Sequence, residues 1–313
     1  LSNDSAGPAN ESNQTLTIVS VGSPVGGTVS ISGTNVLFTP TTNFTGGASF
    51  AYTLQDNGTT NGASDFKSAV ATVSFTITTV NDPPVATNDL LSTVTEDSAA
   101  RTISVSSLLS NDSPGPTNES AQTLTFSSVS GAVGGSVSIN GSNVIFTPTV
   151  DYYGLASFVY TIQDNGTTNG VSDPKTSTAN VTFTINSVND APTFTKGSDQ
   201  TVAEDAGAQS VGGWATAIST GATNESTQTL TFNVTNNNAS LFSTPPALSS
   251  NGTLTYTPAA NAFGSATVSV TLMDNGGTAN GGVDTSVTQT FVITVTEVND
   301  APSGSDDSLS SSN

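Results

Sequence analysis

The sequence contains no cysteine and no histidine. Without them a chain can form no disulfide, no thiolate nucleophile and no Ser-His catalytic pair, and it lacks the usual ligands of a zinc site. No phosphate-binding glycine motif is present either. We therefore expect that the protein is not an enzyme. A loop-rich secreted chain without disulfides is unusual in eukaryotes, so the composition also favours a prokaryotic surface protein.

Basic residues are scarce: 4 Lys and Arg stand against 24 Asp and Glu, which gives a net charge of −20. Such a surface repels nucleic acid and anionic membranes, because both are bound through Lys and Arg. No apolar run approaches the ~18 residues of a membrane span, and no basic leader opens the chain. We expect no nucleic-acid partner and no direct membrane insertion. Divalent cations are the natural partners of so many carboxylates.

Internal repetition organises the chain. The segment QDNGTTNG begins at Gln55 and recurs letter for letter at Gln163, and LSNDS begins at Leu1 and again at Leu109. A third motif, Val-Asn-Asp followed by Pro or Ala-Pro, occurs at intervals of 108 and 110 residues, starting at Val80, Val188 and Val298. The spacing predicts a first repeat over residues 1–84, a second over 85–192 and a third over 193–302. Residues 303–313 would be the first strand of a following repeat, and the first repeat would lack its first two strands.

Each copy has the residue pattern of β-strands. Segments such as 124–126, 137–139 and 181–185 alternate apolar and polar residues, and Asn-Gly or Gly-Gly pairs separate them. About seven strands fit in each copy, centred in the second near Thr93, Ser104, Thr125, Ser138, Ile145, Tyr160 and Phe183. The pattern predicts an all-β protein of tandem seven-stranded Greek-key sandwiches, stacked end to end. Trp214 replaces an aliphatic strand residue, so we expect it in a core and not as a sugar-stacking platform.

Several motifs resemble those of cadherin repeats. VNDAPTF from Val188 and VAED from Val202 look like the cadherin linker and first-strand glutamate, and FVYTIQDNG from Phe158 resembles the strand that ends in an Asp-x-Gly turn. The fuller pattern is similar to bacterial cadherin-like repeats of the VCBS class, found in large surface and biofilm adhesins of the RTX type. The resemblance implies an Ig-like or cadherin-like sandwich with structural calcium between repeats. One departure is that Asn43 and Asn261 stand where the second copy has Asp151.

The positions of the acids support calcium independently, because nearly all of them recur at equivalent positions of the aligned repeats. We call each such set of equivalent positions a column. Two carboxylates ~5 Å apart repel by roughly 3 kcal/mol at an effective dielectric of ~20, so a cluster requires a cation. Asparagine side chains offer neutral oxygens. The alternative is that these acids are only solvated loop residues. The candidate calcium ligands are Asp4, Glu11, Asp56, Asp65, Asn81, Asp82, Glu96, Asp97, Asn111, Asp112, Glu119, Asp151, Asp164, Asp173, Asn189, Asp190, Glu204, Asp205, Glu225, Asp274, Asp284, Asn299 and Asp300.

Following the strands up and down divides these candidates between two ends of a repeat. The first-strand acids, the linker and the Asp151 loop fall at the lower end, and the columns of Asp112, Glu119, Asp164 and Asp173 fall at the upper end. Stacking then places the lower end of one repeat on the upper end of the next. The third copy lacks a counterpart of Asp112. We therefore expect fewer or looser ions between the second and third repeats (the second junction) than between the first and second (the first junction).

Two kinds of function agree with this sequence. The repeats are either a calcium-stiffened extracellular rod that extends or presents an adhesin, or they bind a partner themselves. In the second case the partner is a surface glycan or another copy of the chain. A copy could also polymerise into a filament by donating a strand to the incomplete first repeat.

Overall fold

In the computed structural model, which describes residues 1–305, the chain is built almost entirely of β-strands that fall into three sets along the sequence. The predicted first strand of a following repeat lies largely outside the described residues. Threonine, valine, isoleucine and phenylalanine fill the strands, as suits pleated and half-buried surfaces. Short 3-10 turns lie at Ala9–Glu11, Leu109–Asn111, Thr117–Glu119, Thr223–Glu225, Ala239–Leu241 and Ala279–Gly281.

The first repeat contains a three-stranded sheet of order β1-β4-β7, a separate hairpin β2-β3 and a small hairpin β5-β6. Their bounds are β1 (Thr17–Val25), β2 (Gly27–Ser32), β3 (Asn35–Pro40), β4 (Gly46–Gln55), β5 (Thr59–Thr60), β6 (Ala63–Ser64) and β7 (Ser68–Ile77).

The second repeat is a complete sandwich. Its strands are β8 (Asp89–Leu90), β9 (Val94–Thr95), β10 (Arg101–Ser104), β11 (Thr125–Val133), β12 (Gly135–Asn140), β13 (Asn143–Pro148), β14 (Gly154–Gln163), β15 (Thr167–Thr168), β16 (Val171–Ser172) and β17 (Thr176–Asn186). One sheet has the order β11-β14-β17-β8, with β9 also on β17, and the other has the order β10-β13-β12. A single helical turn, α1 (Val105–Leu108), follows β10 and is capped by the Ser104 side chain.

The third repeat has the same plan. Its strands are β18 (Thr193–Thr195), β19 (Gln200–Ala203), β20 (Gln209–Val211), β21 (Thr216–Ser219), β22 (Thr231–Asn236), β23 (Phe242–Leu248), β24 (Leu254–Pro258), β25 (Gly264–Met273) and β26 (Gln289–Thr296). One sheet runs β19-β26-β25-β22 and the other β20-β24-β23, while β18 pairs with β21. The all-β sandwich predicted from the sequence is confirmed.

Alternation along the strands places the core between the two sheets. In β14 and β17 every second side chain is buried, and Phe158, Tyr160 and Phe183 are among the largest fully buried groups. The third repeat has its own core, in which Trp214 is 4% exposed and lies 4.3 Å from Phe291 between ring centroids. The indole N–H donates to the Ser198 carbonyl at 2.9 Å. Trp214 is therefore a core residue, as expected.

The first repeat buries much less. Phe75 is 37% exposed, whereas its counterpart Phe183 is 1% exposed. In the second repeat β10 pairs with β13, and β8 and β9 pair with β17. Among the described residues, the equivalent edges β3 and β7 of the first repeat have no such partners.

Candidate functional site at the junctions

The linker between the first and second repeats contains the Val-Asn-Asp motif that starts at Val80. Its asparagine is buried against the second repeat. Asn81 is 3% exposed. Its side-chain N–H groups donate to Asp164 Oδ1 at 2.9 Å and to the Asp173 carbonyl at 3.0 Å. Its side-chain oxygen accepts from Gln122 Nε2 at 2.7 Å. The hydrogen-bonding capacity of this amide is thus used by partners on the second repeat.

The second junction repeats this arrangement. Asn189 donates to Asp274 Oδ1 at 2.9 Å and to the Val283 carbonyl at 2.8 Å, and it accepts from Gln228 Nε2 at 2.7 Å. Three side-chain contacts recur in both places, although the loop that supplies the carbonyl differs between the second and third repeats. The pocket for the linker asparagine is therefore a shared feature of the two junctions.

A glutamate holds the next residue of each linker. The Asp82 N–H donates to Glu119 Oε1 at 3.0 Å, and the Asp190 N–H donates to Glu225 Oε1 at 3.1 Å. Both glutamates are 6% exposed. The second oxygen of Glu119 is buried without a hydrogen-bond partner, and so is one oxygen of Asp190. A buried carboxylate oxygen without a donor is costly unless a cation or a proton compensates it.

A group of three acids lies at the second junction. Asp97, Asp151 and Asp190 each place a carboxylate oxygen within 4.8 Å of the others, and they are the one such group among residues 1–305. Asp97 follows the first strands of the second repeat, Asp151 lies between β13 and β14, and Asp190 lies in the linker. Asp97 and Asp151 have positive φ angles of 58° and 57°, so both occupy turns that aspartate tolerates. The Asp151 N–H donates to Asp97 Oδ1 at 3.2 Å, which joins the two turns.

The local electrostatics favour a positive charge beside this acidic triad. Burial raises the pKa of Asp190, and the carboxylates of Asp97, Asp151 and Glu96 raise it further. Burial also raises the pKa of Glu225, although the hydrogen bond from the Asp190 N–H opposes that change. Raised carboxyl pKa values mean that the ionised groups are held at a cost, which a cation would offset.

Glu96 belongs to the same region and is 2% exposed. It accepts from Ser187 Oγ at 3.0 Å and from the Val188 N–H at 2.6 Å. Asn224 of the third repeat donates to its other oxygen at 3.1 Å. Glu96 therefore ties the lower end of the second repeat to the linker and to the third repeat.

Within residues 1–305 three acids meet at the second junction and not at the first, while the ranking of the junctions by ions stays a prediction. At the first junction Asn43 stands where the triad has Asp151, and Asp82 is the counterpart of Asp190. Asp112, on which the advantage expected for the first junction depends, accepts from the Tyr160 hydroxyl at 3.1 Å and from the Thr87 N–H at 2.8 Å.

The remaining predicted ligands have other surroundings. Asp4 accepts from the Tyr52 hydroxyl, as Asp112 does from Tyr160. Asp65 and Asp173 form ion pairs with Lys67 and Lys175, each at 2.7 Å. Asp56 accepts from the N–H groups of Gly58 and Lys67, Asp284 accepts from the Thr285 hydroxyl, and Asn111 donates to carbonyls of Thr87 and Asn88.

Glu11 and the lower end of the third repeat complete this set. Glu11 is half-buried beside Gly7. Glu204 accepts from the Val298 N–H at 2.8 Å, as Glu96 does from Val188. Asp205, Asn299 and Asp300 are exposed. None of these residues joins the triad at the second junction.

Several contacting residues at the junctions were not expected from the sequence. Gln122 and Gln228 bind the linker asparagines, and Asn224 reaches Glu96. Gly166 and Gly276 lie against the same asparagines so closely that a Cβ atom would overlap them. The signal was present, since the glutamine and the glycine recur in every copy, including Gln14 and Gly58. These residues are neutral, so a pattern of charges does not reveal them.

Two family models match parts of this chain. Residues 80–185 match the family described as Cadherin-like domain, and residues 1–78 match the family described as Bacterial Ig domain. These two segments are therefore a cadherin-like and a bacterial Ig-like repeat. Such repeats are structural or adhesive modules and typically have no enzymatic activity.

One solved structure shares the fold of these repeats, and others match it more weakly. A fragment of mouse cadherin-23, repeats EC22-24, is 16% identical over 91% of this chain and 86% of its own, with a TM-score of 0.51. Mouse protocadherin-24 EC1-3 is 15% identical over 90% of each chain, with a TM-score of 0.46. An endo-fucoidan hydrolase matches at a TM-score of only 0.23 and 14% identity, over 91% of this chain and 39% of its own. No curated protein sequence matches the chain.

Within residues 1–305, no helix is both long and apolar enough to cross a bilayer.

Proposed function

We propose that this array is a spacer in a surface or extracellular protein, and that calcium at the second junction fixes the angle between the second and third repeats. Cadherin-like domains generally bind calcium, which supports the choice of ion. The observation that carries the proposal is the triad of Asp97, Asp151 and Asp190. Calcium prefers several carboxylate and carbonyl oxygens in a flexible arrangement, which this group offers.

The residues present fit such an ion. Asp190 has a buried oxygen without a donor, and the pKa of its carboxyl is raised by burial and by its acidic neighbours. When bound, the ion would supply positive charge that offsets the repulsion among the three carboxylates. Asp97 and Asp151 belong to the second repeat and Asp190 to the linker. Binding would therefore join the linker rigidly to the lower end of the second repeat.

A calcium titration tests the proposal. Asp151→Asn should weaken calcium binding and remove the calcium-dependent rise in melting temperature, because one of three carboxylates is lost. At a hundredfold excess over Kd a bound ligand stabilises the folded state by ~2.7 kcal/mol. Extracellular modules bind calcium with Kd of ~10⁻⁴–10⁻³ M, so isothermal titration at millimolar calcium is the suitable measurement.

The third repeat offers a matched control. Asp205 is the counterpart of Asp97, but Asn261 stands where the triad has Asp151. Asp205→Asn makes the same change of charge away from the triad and should leave calcium binding unchanged. Equal binding in the parent protein and in Asp151→Asn would refute the site.

Self-association by strand addition is a second candidate, because within residues 1–305 no outer strand pairs with β3 or β7 of the first repeat. An exposed strand edge accepts a strand from another chain. Residues 303–313 were predicted to supply that strand. Removing them should lower the mean mass seen by analytical ultracentrifugation, and an unchanged mass would reject strand donation.

A further inference from the structure

The linker asparagines occupy a pocket whose contacts require no metal ion. At the first junction the pocket consists of Asp164, Gln122, Gly166 and the carbonyl of Asp173, and all four groups belong to the second repeat. The bound amide of Asn81 is donor to two oxygens and acceptor from one nitrogen. A side chain used in this way has little capacity left for a cation.

We propose that this pocket is a recognition site for the asparagine of a Val-Asn-Asp linker, and that it docks consecutive repeats without calcium. Three observations support the proposal. The same side-chain contacts occur at both junctions although the loops that build them differ. The pocket asparagines are almost fully buried, at 3% and 9% exposure. The first junction has the pocket although it lacks the acidic triad.

Backbone contacts around the pocket extend the docking. The Asn81 N–H donates to Thr168 Oγ1 at 3.0 Å, and the Asn169 N–H donates to the Thr79 carbonyl at 2.9 Å. Thr168 and Asn169 belong to the small hairpin of β15 and β16 at the upper end of the second repeat. The hairpin therefore hydrogen-bonds to the linker backbone, while the pocket binds the asparagine side chain.

The chemistry of the pocket selects asparagine over aspartate. An aspartate at position 81 would lose both donated hydrogen bonds and would place a carboxylate against Asp164. Removing a partner from a buried polar group costs about 1–3 kcal/mol, and more when a charge is involved. If Asn81 were a calcium ligand instead, an aspartate there would strengthen calcium binding. The two roles thus predict opposite effects of Asn81→Asp.

Glycine at position 166 is required by close approach and not by backbone angle. A Cβ atom there would overlap the Asn81 side chain. The equivalent Gly58 in the first repeat is a matched control, because a Cβ atom would meet its nearest neighbours, in Asp56 and Gln14, at 3.1 Å. Gly166→Ala and Gly58→Ala therefore make the same change in the same loop sequence, and only the first blocks a docked asparagine.

The experiment measures order at the first junction in EDTA. The chain has no cysteine, so Ser30→Cys and Ser138→Cys, both at exposed strand positions, give specific sites for spin labels in the first and second repeats. We expect one narrow distance distribution in the parent protein and in Gly58→Ala. Gly166→Ala, Asn81→Ala and Asn81→Asp should lose the narrow peak, and calcium should not restore it.

Amide hydrogen exchange separates undocking from unfolding. In the variants with a blocked pocket, the amides of Asn81, Asp82 and Asn169 should lose protection while those of β14 keep it. Asn81→Ala leaves the second repeat's own sequence intact, so its result does not depend on whether Gly166→Ala folds.

Three outcomes would overturn the proposal. One is a narrow distribution in Asn81→Ala in EDTA. The others are equal broadening in Gly58→Ala and Gly166→Ala, or tighter calcium-dependent order in Asn81→Asp. Failure of the calcium proposal at the second junction would leave these results unchanged, because they are measured without the ion.

Discussion

The first and second repeats have closely similar sequences but differ in burial. Thr17 pairs with Gln55 in the first repeat as Thr125 pairs with Gln163 in the second, and both registers shift after the second pair. The strands therefore form in the same way in both. Yet Val73 is 37% exposed and its counterpart Val181 is fully buried. Strand pairing follows from the local sequence, whereas burial requires the first two strands of the sandwich.

Adding the first two strands to the first repeat should have the largest effect. Residues 85–108 placed directly before Leu1 reproduce the chain that leads into Leu109. We expect them to cover Phe75 and Val73, since each large side chain that is fully buried contributes about 1.5–3 kcal/mol. Urea unfolding of the extended protein should show a higher midpoint and a larger slope, because more surface becomes buried on folding.

A control extension carries aspartate at the two buried apolar positions of the added segment, Ile103→Asp and Leu108→Asp. It should give no gain in stability and should leave dye binding to exposed apolar surface unchanged. A gain equal to that of the unaltered extension would show that closure of the sandwich is not the cause.

A pair of equivalent substitutions gives a smaller contrast. Phe183→Ala removes a ring that is 1% exposed and packs edge-on against Phe146 at 5.0 Å. We expect a loss of about 3–5 kcal/mol. Phe75→Ala removes the counterpart ring, which is 37% exposed, and should cost about 1 kcal/mol. Urea unfolding, followed by hydrogen exchange in each repeat, measures both losses. Similar losses would contradict the difference in burial.

The smallest contrast concerns pH. Asp89, in β8 of the second repeat, has its pKa raised, chiefly by burial and also by Asp112, although hydrogen bonds from Tyr160 and Asn111 oppose this. A carboxyl whose pKa is raised in the folded state binds its proton more tightly there than in the unfolded chain. Its contribution to stability therefore declines as the pH rises through the folded-state pKa. The described part of the first repeat has no counterpart of this residue.

Asp89→Asn should flatten the pH dependence of the second repeat in the mildly acidic range and leave the first repeat unaffected. Melting temperatures of the parent and variant proteins, measured as a function of pH and resolved by repeat, test this. A pH dependence that Asp89→Asn does not alter would assign it to other carboxyls.

Much of the fold was predictable from the period-two pattern and the repeats. The strand positions expected near Thr125, Tyr160 and Phe183 lie within β11, β14 and β17. The first strand differs, because it is divided into β8 and β9, and the turn α1 begins directly after Ser104. Short interruptions of this kind depend on side-chain capping and packing. The alternation of apolar and polar residues does not predict either of them.

The sequence predicted which acids would lie at the same end of a repeat, but it did not predict the atomic contacts that they make. The strand directions placed Asp97, Asp151 and Asp190 at one end of the second repeat, and the structure brings them together. The role of Asn81 was not predictable, because an amide can serve equally as a ligand or as a hydrogen-bonding anchor. Only the positions of Gln122 and Gly166 distinguish these roles.

The pairing of the first and last strands has a mechanical consequence. In the third repeat β19 runs parallel to β26 over four residue pairs, from Gln200–Ile293 to Ala203–Thr296. A pull on the two ends of that repeat would load these hydrogen bonds in shear, so that they resist together instead of opening one by one. In the second repeat the parallel contact is split between β8 and β9, and in the first it is absent among the described residues. Under tension, the second repeat should therefore yield before the third.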